Sequence, residues 1–269
     1  MKRILSLTAA TLVGAMTFAG CGDDGPSEPV NVYLQYKVGD QFTYHYYTRD
    51  ASNVKDPASK QVRKWSVLRT NAAIPGRTDV TEIEELVHDS TGTTILYRDT
   101  LYFSATGQGK VEQYDIVGNL VALISFAAPY RDSVDAVWVQ IGDVKTTGAL
   151  TWASFPGVLQ VSNVEIPVGT STVTANITLQ MNASHKGKIN LTTAAGSFTN
   201  NFRTDHTLKF DVASGGFTVL TDSLIAHYDI DTKGGITRNS ADSKTIVAFG
   251  QTVTIPGFEM ELVSYARAQ

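Results

Sequence analysis

The sequence predicts a mainly β protein: an antiparallel meander that curls or closes into a barrel, with few short helices. Three observations carry this. Val173-Thr174-Ala175-Asn176-Ile177-Thr178-Leu179-Gln180-Met181-Asn182 places an apolar residue at every second position for five repeats. Strict period 2 puts all of them on one sheet face and the Thr, Asn and Gln set on the other. Short runs rich in Thr, Val, Tyr, Phe and Ile are punctuated throughout by Gly, Asn and Asp, and no segment sustains a 3.6-residue period.

Taken in order, Phe42, Tyr44 and Tyr46 alternate after a Gly39-Asp40 turn. Ile95, Tyr97, Leu101 and Phe103 share a face after the turn Asp89-Ser90-Thr91-Gly92. Gly107-Gln108-Gly109 and Gly118-Asn119 read as further hairpin turns. Asn119 to Val139 has room for one short helix. Pro156-Gly157 to Pro167 reads as a long connection, or as a seam near residues 156–170. Phe198 and Phe202, then Leu208, Phe210 and Val212, then Phe217, Val219 and the Leu224–Ile230 run continue the strands. Gly215-Gly216 and Gly234-Gly235 separate them. Residues 31–269 are therefore expected to form one β-rich domain.

Residues 1–20 have a different character. Lys2 and Arg3 form a basic start, Ile4 to Phe18 is apolar and uncharged, and small residues lead to Cys21, the one cysteine of the 269 residues. A basic start, an apolar stretch of about 7–15 residues and a small-residue cleavage site define a secretory signal. A membrane span needs roughly 20 apolar residues, and Thr8, Thr11, Gly14 and Thr17 interrupt this shorter one. Residues 21–30, containing Gly22-Asp23-Asp24-Gly25-Pro26-Ser27-Glu28-Pro29, read as a flexible acidic tether.

The tetrad Phe18-Ala19-Gly20-Cys21 resembles the lipobox of bacterial lipoproteins. The resemblance implies that Cys21 is the lipid-attachment residue, cleaved on its amino side and acylated. Two or three acyl chains hold stably, since burial contributes ~0.8 kcal/mol per methylene and one chain is marginal. Gly22 stands where an inner-membrane retention Asp would be, and Asp23 and Asp24 resemble surface-export signals of some Bacteroidota lipoproteins. The expected location is the outer membrane, with its face open, and the membrane is the expected partner through Cys21.

Three phrases further resemble envelope lipoproteins with a large β domain. They are Tyr36-Lys37-Val38-Gly39-Asp40-Gln41-Phe42-Thr43-Tyr44, Ala194-Ala195-Gly196-Ser197-Phe198-Thr199-Asn200, and Tyr228-Asp229-Ile230-Asp231-Thr232-Lys233-Gly234-Gly235-Ile236. Such domains are similar to the curved antiparallel sheets of periplasmic lipid and lipoprotein carriers. The resemblance implies a half-barrel or clam-like sheet and brings no catalytic residue with it.

Composition narrows the function. Lys2 and Arg3 leave with the signal, so 22 Lys and Arg fall to 20 against 26 Asp and Glu, a formal charge of −6. That argues against a nucleic-acid partner and against electrostatic adhesion to anionic lipid. With its cysteine lipidated the chain has none for disulfides, so stability must come from an ordinary core.

Candidate chemistry is sparse. Asp229-Ile230-Asp231-Thr232-Lys233-Gly234 begins like a calcium loop, but Lys233 and Ser240 occupy places that need oxygen ligands and a bidentate Glu. A strand entering a Gly-Gly turn explains it better. Of the five histidines (45, 88, 185, 206 and 227), His185, His206 and His227 lie 21 residues apart. Adjacent strands could gather them as a three-imidazole zinc site, although no close His pair anchors one. Glu82 and Glu84 would point the same way from a strand, with Glu85 beside them. Paired carboxylates can run glycosidic chemistry, and a solvated strand face explains them equally. Nucleophile and phosphate-loop motifs are absent, Gly109-Lys110 and Gly187-Lys188 included. Asn176, Asn182 and Asn190 begin glycosylation-type tripeptides and read as strand polarity. Trp65, Trp138, Trp152 and the Tyr33–Tyr47 cluster read as core, or as the lining of an apolar pocket.

The expectation is a non-enzymatic, lipid-anchored envelope protein without a cofactor or metal. It would bind an apolar ligand or envelope partner in a cavity lined by one face of Val173–Met181. The alternatives are a structural or adhesive surface lipoprotein with a closed core, and a hydrolase with a nonlocal polar site.

Overall fold

The computed structural model describes residues 36–74, 76–105, 108–232 and 234–269. The signal (1–20), Cys21, the tether (21–30), Tyr33, Gly107 and Lys233 lie outside the described residues. Five antiparallel strands come first: β1 (Gln41–Arg49), β2 (Gln61–Ile74), β3 (Arg77–His88), β4 (Ile95–Ala105) and β5 (Lys110–Tyr114). A six-residue helix α1 (Ile116–Val121) and a 3-10 turn, Ala128–Ser133, precede β6 (Trp138–Asp143) and β7 (Leu150–Ala153). Then follow β8 (Leu159–Val168), β9 (Ser171–Thr193), β10 (Gly196–Ser214), β11 (Phe217–Asp231) and β12 (Gly235–Ala241). The small hairpin β13 (Lys244–Ala248) and β14 (Gln251–Ile255) stands apart, and β15 (Gly257–Ala266) ends the fold.

Thirteen strands form one antiparallel sheet in the order β6-β5-β4-β3-β2-β1-β15-β12-β11-β10-β9-β7, with β8 also on β9. Period 2 produces this sheet directly. In β9, alternation runs for most of 23 residues: Ala175, Ile177, Leu179, Met181 and Ala183 are buried while Thr174, Asn176, Gln180 and Asn182 are exposed. The turn Gly215-Gly216 has φ of +59° and +82°, the pair of left-handed conformations that a two-residue hairpin turn matched to strand twist requires.

The mainly β, antiparallel expectation matches, and of its two forms the open one is adopted: the sheet does not close into a barrel. Its terminal strand β6 instead packs on the inner face of β10 and β11. A Cβ on Gly142 would sit 2.7 Å from Ile230 Cδ1. Single bonds satisfy the outer edge of β6 in place of a ladder. Gln140 N donates to Ser154 O (2.8 Å), and Trp152 Nε1 donates to Gln140 O (3.3 Å).

Two local expectations fail. Gly118-Asn119 is not a hairpin turn but the middle of α1. Ile116, Val117, Leu120 and Val121 are buried there, and this burial outweighs weak local helix preference. The stretch from Pro156 to Pro167 is not a connection or seam: most of it is β8, whose Leu159, Val161, Val164 and Ile166 are buried against β9. A register shift between Val161 and Val164 hides the alternation from a simple reading.

The first and second halves of the sheet meet at β15, which pairs with β1 from Gly257↔Arg49 to Ala266↔Gln41 and with β12 from Phe258↔Ala241 to Glu261↔Arg238. Asp40, fully buried, accepts hydrogen bonds from Ala268 N, Lys37 N and Arg267. Burial pushes its carboxyl up, but these donors together hold it below the ordinary value. At the other end of β15, Glu259 pairs with Arg49 and Lys55. Gly257 begins the strand where a Cβ would lie 2.5 Å from Ala241 O and 2.6 Å from Ser243 N. These are backbone atoms, so no side-chain movement relieves the contact. Gly257→Ala is therefore expected to lower stability by about 1–3 kcal/mol, read as a lower urea midpoint at unchanged slope.

Candidate functional site

Inner-face residues are aligned in rows across strands on both sides of β15. Glu85 on β3 lies opposite Trp65 on β2 and Asp99 on β4. Tyr46, Met260, Asn239 and Tyr228 form a second row across β1, β15, β12 and β11. Above them sit Ile116, Asn119 and Leu120 of α1, with Leu123 and Arg131. Between the sheet and this cover is a cavity of about 590 Å³, within the usual range for small-ligand sites of about 300–1,000 Å³. Its apolar wall includes Leu101, Ile116, Leu120, Leu123 and Ile236, and its aromatic wall Tyr46, Trp65, Tyr97 and Phe258.

A charged group is built into the floor. Glu85 is only 4% exposed. Its Oε1 accepts from Trp65 Nε1 at 2.8 Å and lies 3.4 Å from Arg63 Nη1. The Arg63 guanidinium stacks 4.0 Å from the Tyr46 ring centre. Its buried Nε–H has no partner among the described residues. At the rim, Arg98 pairs with Glu84 (3.1 Å) and Arg131 with Asp132 (3.0 Å). Burial, then the charge of Asp99, pushes the nearby Asp115 carboxyl up.

This cavity is not where the alternating strand predicted it. The inner face of Val173–Met181 does not line it: Ala175, Ile177, Leu179 and Met181 are buried against Leu159 and Val161 of β8 and Leu208, Phe210 and Val212 of β10. The 3-10 turn after α1 reaches that half, where Glu165 N on β8 donates to Tyr130 Oη at 2.9 Å.

The three spaced histidines do not converge. His185 and His206 share the apolar phase of their strands and point inward, whereas His227 has the opposite phase. His227 Nδ1 lies 2.7 Å from Asp205 Oδ1. A carbonyl only accepts, so the inward rings are protonated at Nε2. His206 Nε2–H donates to Ile141 O (3.1 Å) while its Nδ1 accepts from Ser154 Oγ (3.0 Å). His185 Nε2–H donates to Thr146 O at 2.7 Å. Both tie the β6 region to the sheet. His45 and His88 stand on β1 and β3, and no metal-holding cluster occurs among the described residues.

The acidic candidates separate as well. Glu82 is held by Arg69 (2.7 Å) and Glu84 by Arg98, leaving Glu85 as the one of these three that lines the cavity. Its phase, shared with buried Ile83 and Val87, is the sequence signal that marks it. In the calcium-like phrase, Asp229 is fully buried between Arg203, which binds it with two bonds of 2.8 Å, and Arg238. Asp231 accepts from Gly234 N at 2.9 Å, so the phrase is a strand entering a turn. Trp65 lines the cavity, and Trp138 lines a second cleft beside Arg77 and Phe155. Arg63 was not singled out by sequence, although it falls in phase with Trp65 and Val67. No helix among the described residues is long and apolar enough to cross a membrane.

No protein-family model and no curated protein sequence matches the chain. Two solved structures are similar to it. One is a protein from Bacteroides fragilis described as exported, with a YmcC-like fold (TM-score 0.41, 10% identity, 88% of this chain and 100% of that one). The other, from Parabacteroides distasonis, is described as a lipoprotein (TM-score 0.47, 10% identity, 86% of this chain and 96% of that one). At 10% identity neither brings a residue role with it.

Burial of His206 lowers its pKa from 6.5 to about 4. The unfolded chain binds the proton first as pH falls, so the stability associated with neutral His206 is complete above about pH 6.5 and lost toward pH 4. The expected loss is about 3 kcal/mol. Chemical denaturation at stepped pH should show this slope, and His206→Gln should remove it.

Proposed function

We propose that the chain is a lipid-anchored protein of the bacterial cell envelope that holds an amphipathic ligand, without turning it over, in the cavity beneath α1. The cavity itself carries this reading: it is open, apolar on one wall, and has a desolvated Arg63–Glu85–Trp65 group on its floor. A structural or adhesive role would leave this volume closed. None of the five histidines lines it, nor do Glu82 and Glu84, which favours binding over hydrolysis.

The anchor part of the reading rests on the lipobox-like tetrad and Cys21. Cys21→Ser should release the protein from the membrane fraction in a fractionation assay, with its circular dichroism unchanged. Retention in the membrane would contradict the anchor. For the cavity, Leu123 is half-buried at its wall, so Leu123→Trp should fill space with little cost to the core. It is expected to weaken binding of the neutral apolar probe N-phenyl-1-naphthylamine at least ~10-fold, a loss of about 1.4 kcal/mol. Equal probe fluorescence in both proteins would contradict the cavity as the binding site.

A further inference from the structure

The polar floor of the cavity is left unsatisfied in two opposite ways. On the donor side, Arg63 has a buried Nε–H without a partner among the described residues and a long 3.4 Å contact from Nη1 to Glu85. A desolvated donor of this kind favours an incoming acceptor, and a guanidinium favours an anionic oxygen most. On the acceptor side, Glu85 and Asp99 stand directly opposite each other on β3 and β4, both lining the cavity. Side chains so placed start about 5 Å apart at Cβ, and like charges there repel. Asp99 accepts from Thr100 N at 2.7 Å, and Arg131, whose charge it feels, is already paired with Asp132 at 3.0 Å.

An anion alone would meet Arg63, with Arg98 and Arg131 already paired to Glu84 and Asp132 at the rim, but also these two carboxylates. A cation alone would relieve the carboxylates but crowd Arg63, which already covers the Tyr46 face. A neutral head would leave both in place. We propose that the cavity recognises a single-chain amphiphile with a zwitterionic head, its phosphate against Arg63 and its primary ammonium between Glu85 and Asp99. The tail lies along Leu101, Ile116, Leu120 and Leu123. A primary ammonium fits because its N–H donors bond to both carboxylates. The inference rests on the cavity being the ligand site.

The test is displacement of N-phenyl-1-naphthylamine by three amphiphiles of matched chain length, each below its micellar concentration. They are lysophosphatidylethanolamine, anionic lysophosphatidylglycerol and a cationic alkylamine. The zwitterion is expected to compete at roughly 10-fold lower concentration than either. Arg63→Gln should move the preference to the amine, and Asp99→Asn, at an exposed position, should move it to the anionic lipid. Equal competition by a singly charged amphiphile, or an Asp99→Asn protein with unchanged preference, overturns the proposal. If the probe binds and no amphiphile displaces it, the head-group inference falls and the cavity remains. If the probe does not bind, both fall.

Discussion

Everything in this sheet hangs on β15. Strands β1 to β6 extend outward on one side of it, and β12 back to β7 on the other. Among the described residues, the ladder of paired strands joins the halves through this ten-residue strand, and single bonds join them again at β6. A contact of such sequence separation forms late and costs loop entropy before it is rewarded. Its two ends are correspondingly tied by charge-assisted bonds, Asp40 with Arg267 and Ala268 N at one end, Glu259 with Arg49 and Lys55 at the other. The cavity depends on the same join, because its floor takes Tyr46 from β1, Met260 from β15 and Asn239 from β12.

Polar residues in the apolar phase are resolved in two ways. His185 and His206 are satisfied internally, donating to Thr146 O and Ile141 O and so holding the folded-back end of the sheet. Arg63 is satisfied only in part, and with Glu85 it faces open volume. Buried polar groups normally find partners, so this remaining capacity separates a binding group from a structural one. Between the two lies the packed half around β9, where strict alternation leaves no room for a ligand.

Strand alternation was legible because each side chain's face follows from backbone geometry alone. Parity also bears on the sites: His185, His206 and Glu85 sit in phase with apolar neighbours, while His227, Glu82 and Glu84 do not. The 21-residue histidine spacing was a poor guide, because it brings neighbouring strands together without fixing the face: Asp205, not His206, lies opposite His227, so that ring points to the other side. β8 was obscured by the shift between Val161 and Val164, and α1 by a Gly-Asn pair whose local preference is for a turn.

The sequence by itself determined the β class, the inward and outward faces of the strands, the acidic balance and the lipoprotein-like start with Cys21. All of these are local, set by period 2, composition or a contiguous motif. Tertiary structure alone decided that the sheet stays open, that β15 joins its halves, and that the cavity lies under α1 rather than along Val173–Met181. Those depend on which strands become neighbours and where the cover of residues 116–134 settles. Long-range packing selects these arrangements, and no short stretch of the chain encodes them.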